Sequence, residues 1–178
     1  MLRQALAIDP SFAPAAAMIG SCRMHQRAHR LAPVGDAEIA EAVRLAKGAI
    51  DAGKDDPDAL WMAGWTLSHL GGEPAMGANV IDRALTLNPN CAHAWMARGL
   101  VYICQNRPDR AIEALERAIR LSPLDPWGSR VFTSLMALVD RALRLNPSFA
   151  LGWLVSGALS LWAGQPDRAS STPKPRCV

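Results

Sequence analysis

Aromatic side chains make up only 6% of this 178-residue chain, with one tyrosine and three phenylalanines. Runs of β-branched residues are almost absent while alanine and leucine abound, so the composition favours helices and leaves strands without the residues that pack a pleated surface. The fold class expected is all-α. Cysteine is scarce as well. Cys22, Cys91, Cys104 and Cys177 form no C-x-x-C pair and no dense framework, which points to a reducing cytoplasm and to no disulfide. Neither sign of charge dominates: 19 Lys plus Arg stand against 16 Asp plus Glu, a net +3, and the basic residues are scattered. Nucleic acid is therefore not an expected partner, since phosphate binding needs cations gathered on one surface.

Long apolar runs are missing too. The N-terminus lacks the apolar core of a secretory signal. The uncharged stretch Phe149–Gly164 falls short of the ~20 residues that cross a bilayer. It reads as a buried helix, and no membrane partner is expected. Also absent are the glycine-rich phosphate loop, the nucleophile elbow, the zinc-protease helix and the dinucleotide fingerprint. The chain is expected not to be an enzyme and to need no cofactor.

What the chain does have is a recurring tag: Ala5-Leu-Ala-Ile-Asp-Pro10, Ala84-Leu-Thr-Leu-Asn-Pro89, Ala118-Ile-Arg-Leu-Ser-Pro123 and Ala142-Leu-Arg-Leu-Asn-Pro147. Proline cannot continue a helix, and it pushes the residue before it out of the α region. Each tag therefore ends one helix and opens a turn. Pro89 and Pro123, Ala84 and Ala118, and Trp61 and Trp95 each stand 34 residues apart. That interval is the period of a helix–turn–helix repeat.

Trp95, Gly99, Tyr102, Ala111, Leu115, Ala118 and Pro123 fall where the tetratricopeptide repeat family places its Trp, Gly, Tyr, Ala, Phe, Ala and Pro signature. The chain resembles that family, with Arg98 standing where a leucine is usual. The resemblance implies an α-α superhelix of antiparallel helix pairs. Gly99 and Ala111 would let two helices approach, and Trp95, Tyr102 and Leu115 would fill the layer between repeats. The unit before it keeps Trp61, Ala84 and Pro89 but carries Gly64-Trp65 and Gly77 at the other signature positions, with Gly71-Gly72 as its turn.

The expected divisions follow from these markers. Residues 1–57 form an irregular repeat with an inserted loop: a helix over Ala13–Arg27, a loop over Leu31–Asp36, and a helix over Ala37–Ala52 capped by Asp36. Residues 58–91 and 92–125 form two repeats. Residues 126–149 form a shortened unit, because Pro123 and Pro147 are only 24 apart and Ser129–Leu145 has no turn residue; one continuous helix is expected there. Trp153, Gly157 and Ala169 echo Trp95, Gly99 and Ala111 at a shift of 58, which marks 150–169 as a truncated repeat. A disordered tail over 170–178 follows. Both ends read as cut through a repeat, so self-association through exposed solenoid ends is a further expectation.

Two clusters invite a metal reading. Cys22, His25 and His29 stand at i, i+3 and i+7 of one helix, but no fourth ligand is near, and Arg23, Arg27 and Arg30 would repel a cation. Asp55, Asp56 and Asp58 precede Ala59-Leu60-Trp61, where carboxylates cap a helix and favour its N-terminus. No metal site is expected.

By the resemblance, function resides on the groove wall made by the first helix of each repeat. Its expected lining is Met62, Thr66 and His69 from one unit, His93, Met96, Leu100 and Ile103 from the next, and Leu154, Ala158 and Leu161 from the last. Lysine and asparagine are missing from this set, which argues against a carboxylate clamp and for an apolar or helical peptide as partner. A protein-interaction scaffold is the first reading. The second rests on Asp58–Pro126, which resembles the C-terminal repeat region of bacterial multidomain signalling proteins such as class III adenylate cyclases or winged-helix transcription regulators. That likeness implies a regulatory or sensor fragment whose effector domain lies outside this chain.

Overall fold

The computed structural model describes residues 1–28, 31, 33–105 and 107–123. The chain divides into two compact units, Met1–Leu121 and Ser122–Val178. Of the second, only Ser122 and Pro123 lie among the described residues. The expected long helix over 126–149, the truncated repeat over 150–169, the tail over 170–178, the apolar stretch Phe149–Gly164, and the groove residues Leu154, Ala158 and Leu161 lie outside them.

The first unit holds seven helices and, among the described residues, no strand: α1 (Leu2–Ile8), α2 (Ala13–Ala28), α3 (Asp36–Ala52), α4 (Pro57–His69), α5 (Pro74–Leu87), α6 (Ala92–Cys104) and α7 (Pro108–Leu121). Helices α4 and α5 pack as one antiparallel pair, α6 and α7 as the next, and α2 and α3 as the irregular pair before them. Helix α4 also lies against both α2 and α6, so the first helices of successive pairs run side by side. This is the arrangement of the α-α superhelix class.

Local chemistry explains the helix ends. Proline opens α4, α5 and α7, at the position where its missing N–H costs nothing. The tags stop their helices as expected: Asp9 and Asn88, each just before a proline, hold ψ angles of 98° and 88°, outside the helical range. Between α4 and α5 the chain turns through Gly72 at φ 66°, a conformation glycine adopts without strain. The Glu73 amide reaches back to the Leu67 carbonyl at 3.1 Å across that turn.

One boundary differs from expectation. Helix α3 begins at Asp36 with Gly35 as its cap. The Glu38 carboxylate accepts the Gly35 amide at 3.1 Å, so Asp36 sits in the first turn and serves the helix dipole rather than the cap.

The core is built largely from alanine, including Ala17, Ala46, Ala59, Ala63, Ala94 and Ala97, around fully buried Leu60, Leu67, Ile81 and Val101. Each of those four larger side chains contributes roughly 1.5–3 kcal/mol by leaving water. The small residues set how near the helices come. An added Cβ at Gly99 would lie 2.7 Å from Leu115 Cγ, and one at Gly64 would lie 2.7 Å from the Gly77 carbonyl oxygen. The approach expected of Gly99 is therefore real. In the pair before it the same task falls to Gly64 and Gly77 facing each other.

Candidate functional site

The side formed by the first helices is set apart by what it lacks. Helix α4 contains one carboxylate, Asp58, and α6 one cation, Arg98, which is buried. Helices α3 and α7 carry six charged residues each, and α5 carries two. Helix α2 carries two as well, Arg23 and Arg27, so the low charge belongs to α4 and α6, and a partner meeting those two helices encounters few fixed charges.

A ladder of rings crosses this side. His93 of α6 stacks on Trp61 of α4, with centroids 5.6 Å apart and planes 13° from parallel. Trp61 lies 6.0 Å from Trp65. Trp65 in turn takes His69 at 5.8 Å and His25 of α2 at 5.3 Å, both edge-on. The indoles are buried while the imidazoles of His69 and His93 reach solvent. The ladder therefore joins three neighbouring helices by geometries that aromatic rings favour. Its base is fixed by Asp56, which caps α4 by accepting the Asp58 and Ala59 amides at 2.9 and 3.1 Å. Asp58 then accepts the Trp61 indole N–H at 3.0 Å. The capping reading of this carboxylate cluster holds.

The expected groove residues fall into two groups. His69, His93 and Ile103 are exposed and Leu100 is half-buried. Met62, Thr66 and Met96 are buried, so they do not form an open wall here. Thr66 explains why: its hydroxyl donates to the Met62 carbonyl at 2.9 Å, and a Cβ added to Gly20 of α2 would lie 3.0 Å from that hydroxyl oxygen. The preceding first helix covers that stretch of α4. Trp61, Trp65 and His25 were missed by the groove expectation. For the two tryptophans the signal was present in the i, i+4, i+8 spacing of Trp61, Trp65 and His69.

The other candidates have structural roles. His25 Nδ1 lies 2.8 Å from the Ser21 carbonyl, Cys22 is exposed, and His29 lies outside the described residues. Among the described residues no three His, Cys, Asp or Glu side chains are grouped to hold a metal, and no helix is long and apolar enough to cross a membrane. Burial pushes the Cys91 and Cys104 thiols up, away from the thiolate a nucleophile needs. Desolvation holds His69 below the ordinary histidine range, against the opposing hydrogen bond to the Trp65 carbonyl.

With this geometry in hand, residues 71–126 match the tetratricopeptide repeat model, the stretch that contains α5, α6 and α7. Solved structures extend the likeness of fold. MamA is 19% identical with a TM-score of 0.53, covering 96% of this chain and 80% of its own. PilF of Pseudomonas aeruginosa is 21% identical with a TM-score of 0.55, over 96% and 78%. YrrB, described as a tetratricopeptide protein with an unusual peptide-binding site, is 13% identical with a TM-score of 0.51, over 95% and 87%. Among curated proteins no sequence match is found. The resemblance to bacterial signalling proteins finds no support in these comparisons.

Proposed function

We propose that this chain is a protein-interaction scaffold that receives an apolar or helical peptide segment on the side formed by α2, α4 and α6. The observation that carries this reading is the low charge of α4 and α6: they present imidazole and aliphatic groups, while α3 and α7 carry six ionic residues each. Apolar contact supplies affinity, and a few polar groups orient the ligand. His69, His93, Leu100 and Ile103, which are exposed or half-buried, are the residues proposed to touch it. Leu154, Ala158 and Leu161, the other expected groove residues, lie outside the described residues. The tetratricopeptide match over 71–126 and the peptide-binding site named for YrrB support the same class of function.

The test is an array of 15-residue peptides probed with the purified chain, followed by titration of the peptides retained. Ile103→Asp is expected to weaken binding at least about tenfold by placing a charge in an apolar contact. Glu113→Arg, on the opposite helix of its pair, is expected to leave binding unchanged. An array on which nothing binds, or binding indifferent to Ile103→Asp, would contradict the proposal.

A further inference from the structure

We infer that the junction between α5 and α6 is the hinge of this unit, and that Arg98 and Asp82 form the clasp that governs it. Arg98 occupies a helix-packing position where the repeat family uses leucine. Its Nε and Nη2 donate to the two carboxylate oxygens of Asp82, the second at 2.9 Å, and its guanidinium carbon lies 3.8 Å above the Tyr102 ring.

The pair is unevenly desolvated. The Arg98 side chain is only 8% exposed, while that of Asp82 is 49% exposed. The guanidinium has given up its water, yet its counter-charge is still screened by solvent. Arg98 Nη1 is also buried without a hydrogen-bond partner. An arginine cannot shed its charge to escape this cost, so separating α6 from α5 returns water to a group poorly compensated in the closed state. Opening is favoured at this seam relative to one closed by apolar groups.

The preceding seam is closed by small and apolar groups at its centre, and the contacts of charged groups that cross it, Lys47 with Glu73 at 2.8 Å and Arg83 with the Lys54 carbonyl, lie at its exposed edge. Gly20 meets Thr66, whose hydroxyl is already satisfied within its own helix. An added Cβ on Gly53 would lie 2.6 Å from Ala13 Cβ and 3.2 Å from Ala59 Cβ. Among the described residues no cation is buried there. Beyond the clasp, the seam between the second and third pairs is crossed by the His93–Trp61 stack and two long polar contacts, Cys91 Sγ to Asp58 at 3.9 Å and Gln105 Nε2 to the Pro74 carbonyl at 3.4 Å. Helices α6 and α7 consequently open as a pair while α2 to α5 stay closed, a sub-global motion confined by one ionic contact.

Hydrogen exchange of the free 178-residue chain tests this without reference to any partner. In the unsubstituted protein, amides of α6 and α7 are expected to exchange at least about tenfold faster than those of α4. Arg98→Leu is expected to slow α6 and α7 by about tenfold, because a buried ion pair replaced by packed apolar groups often gains stability. Asp82→Leu is expected to speed the same amides, and adding Arg98→Leu to it is expected to restore the slow rate, a non-additive result. The inference is overturned if α4, α6 and α7 exchange together in the unsubstituted chain, or if Arg98→Leu exchanges faster than its parent. Since Arg98→Leu is the variant expected to gain stability, the test survives even if Asp82→Leu fails to fold.

Discussion

The second and third helix pairs carry their leading tryptophans 34 residues apart, yet they bring their helices together at different residues. In α6 and α7 the close approach is Gly99 against the Leu115 side chain. In α4 and α5 it is Gly64 against the backbone of Gly77 and the flank of Ile81. Gly64 stands one position earlier in its repeat than Gly99, and Trp65 takes the place that Gly99 has. The displaced tryptophan packs beside His25 of α2 instead of being excluded from its own pair. One residue of offset therefore turns a spacer position into a contact with the neighbouring repeat.

The largest effect that would sharpen this comparison is expected from Gly77→Ala. Its methyl group would run into the Ser68 hydroxyl and the Gly64 carbonyl oxygen, neither of which is the yielding tip of a long side chain. The gain of about 1 kcal/mol in helix propensity is outweighed by overpacking, for a net loss of roughly 2–3 kcal/mol in urea unfolding. Gly99→Ala meets the branched end of half-buried Leu115, which can swing aside, so its net loss is expected to stay below about 1 kcal/mol. If Gly99→Ala costs as much as Gly77→Ala, the two pairs do not differ in the way described.

Asp56→Ala comes next. It removes the acceptor of two amides at the start of α4 and is expected to cost about 1 kcal/mol in the same assay. His93→Ala removes the stack that links the third pair to Trp61, for about 0.5–1 kcal/mol.

The smallest effect concerns pH. Desolvation depresses the His69 pKa in the folded chain below its ordinary 6.5, so the unfolded chain takes up the proton first as pH falls. Stability from this group is complete above about 6.5 and declines as pH drops through that value toward the folded pKa. Urea midpoints at pH 7.5 and 5.5 should show the decline, and His69→Gln should reduce it. A midpoint difference unchanged by His69→Gln would remove this residue from the pH response.

Much of the frame was legible because punctuation residues act locally. Pro10 and Pro89 end their helices whatever surrounds them, Gly71-Gly72 turns the chain, and Asp56 caps α4. Side-chain exposure was less legible because it depends on which neighbour arrives. Met62, Thr66 and Met96 have the spacing of a groove stripe and are nevertheless buried; for Thr66 the cover is Gly20 of α2, a residue forty-six positions away. The role of Gly64 was hidden for a related reason: a one-residue shift within a repeat leaves the 34-residue period intact while changing which atoms meet. The Gly35 cap escaped notice because its partner is the side chain of Glu38, and the neighbouring Asp36 is the residue type that ordinarily caps.

The stacking of successive helix pairs can be measured directly by nuclear Overhauser contacts in the isotope-labelled chain. Pairs arranged as described give cross-peaks between the His93 imidazole protons and the Trp61 indole, which join successive pairs, together with cross-peaks between Gly64 Hα and the Ile81 methyls, which join the two helices of one pair. A folded, helical protein that keeps the Gly64–Ile81 set but lacks the His93–Trp61 set would show that successive pairs do not stack in this register.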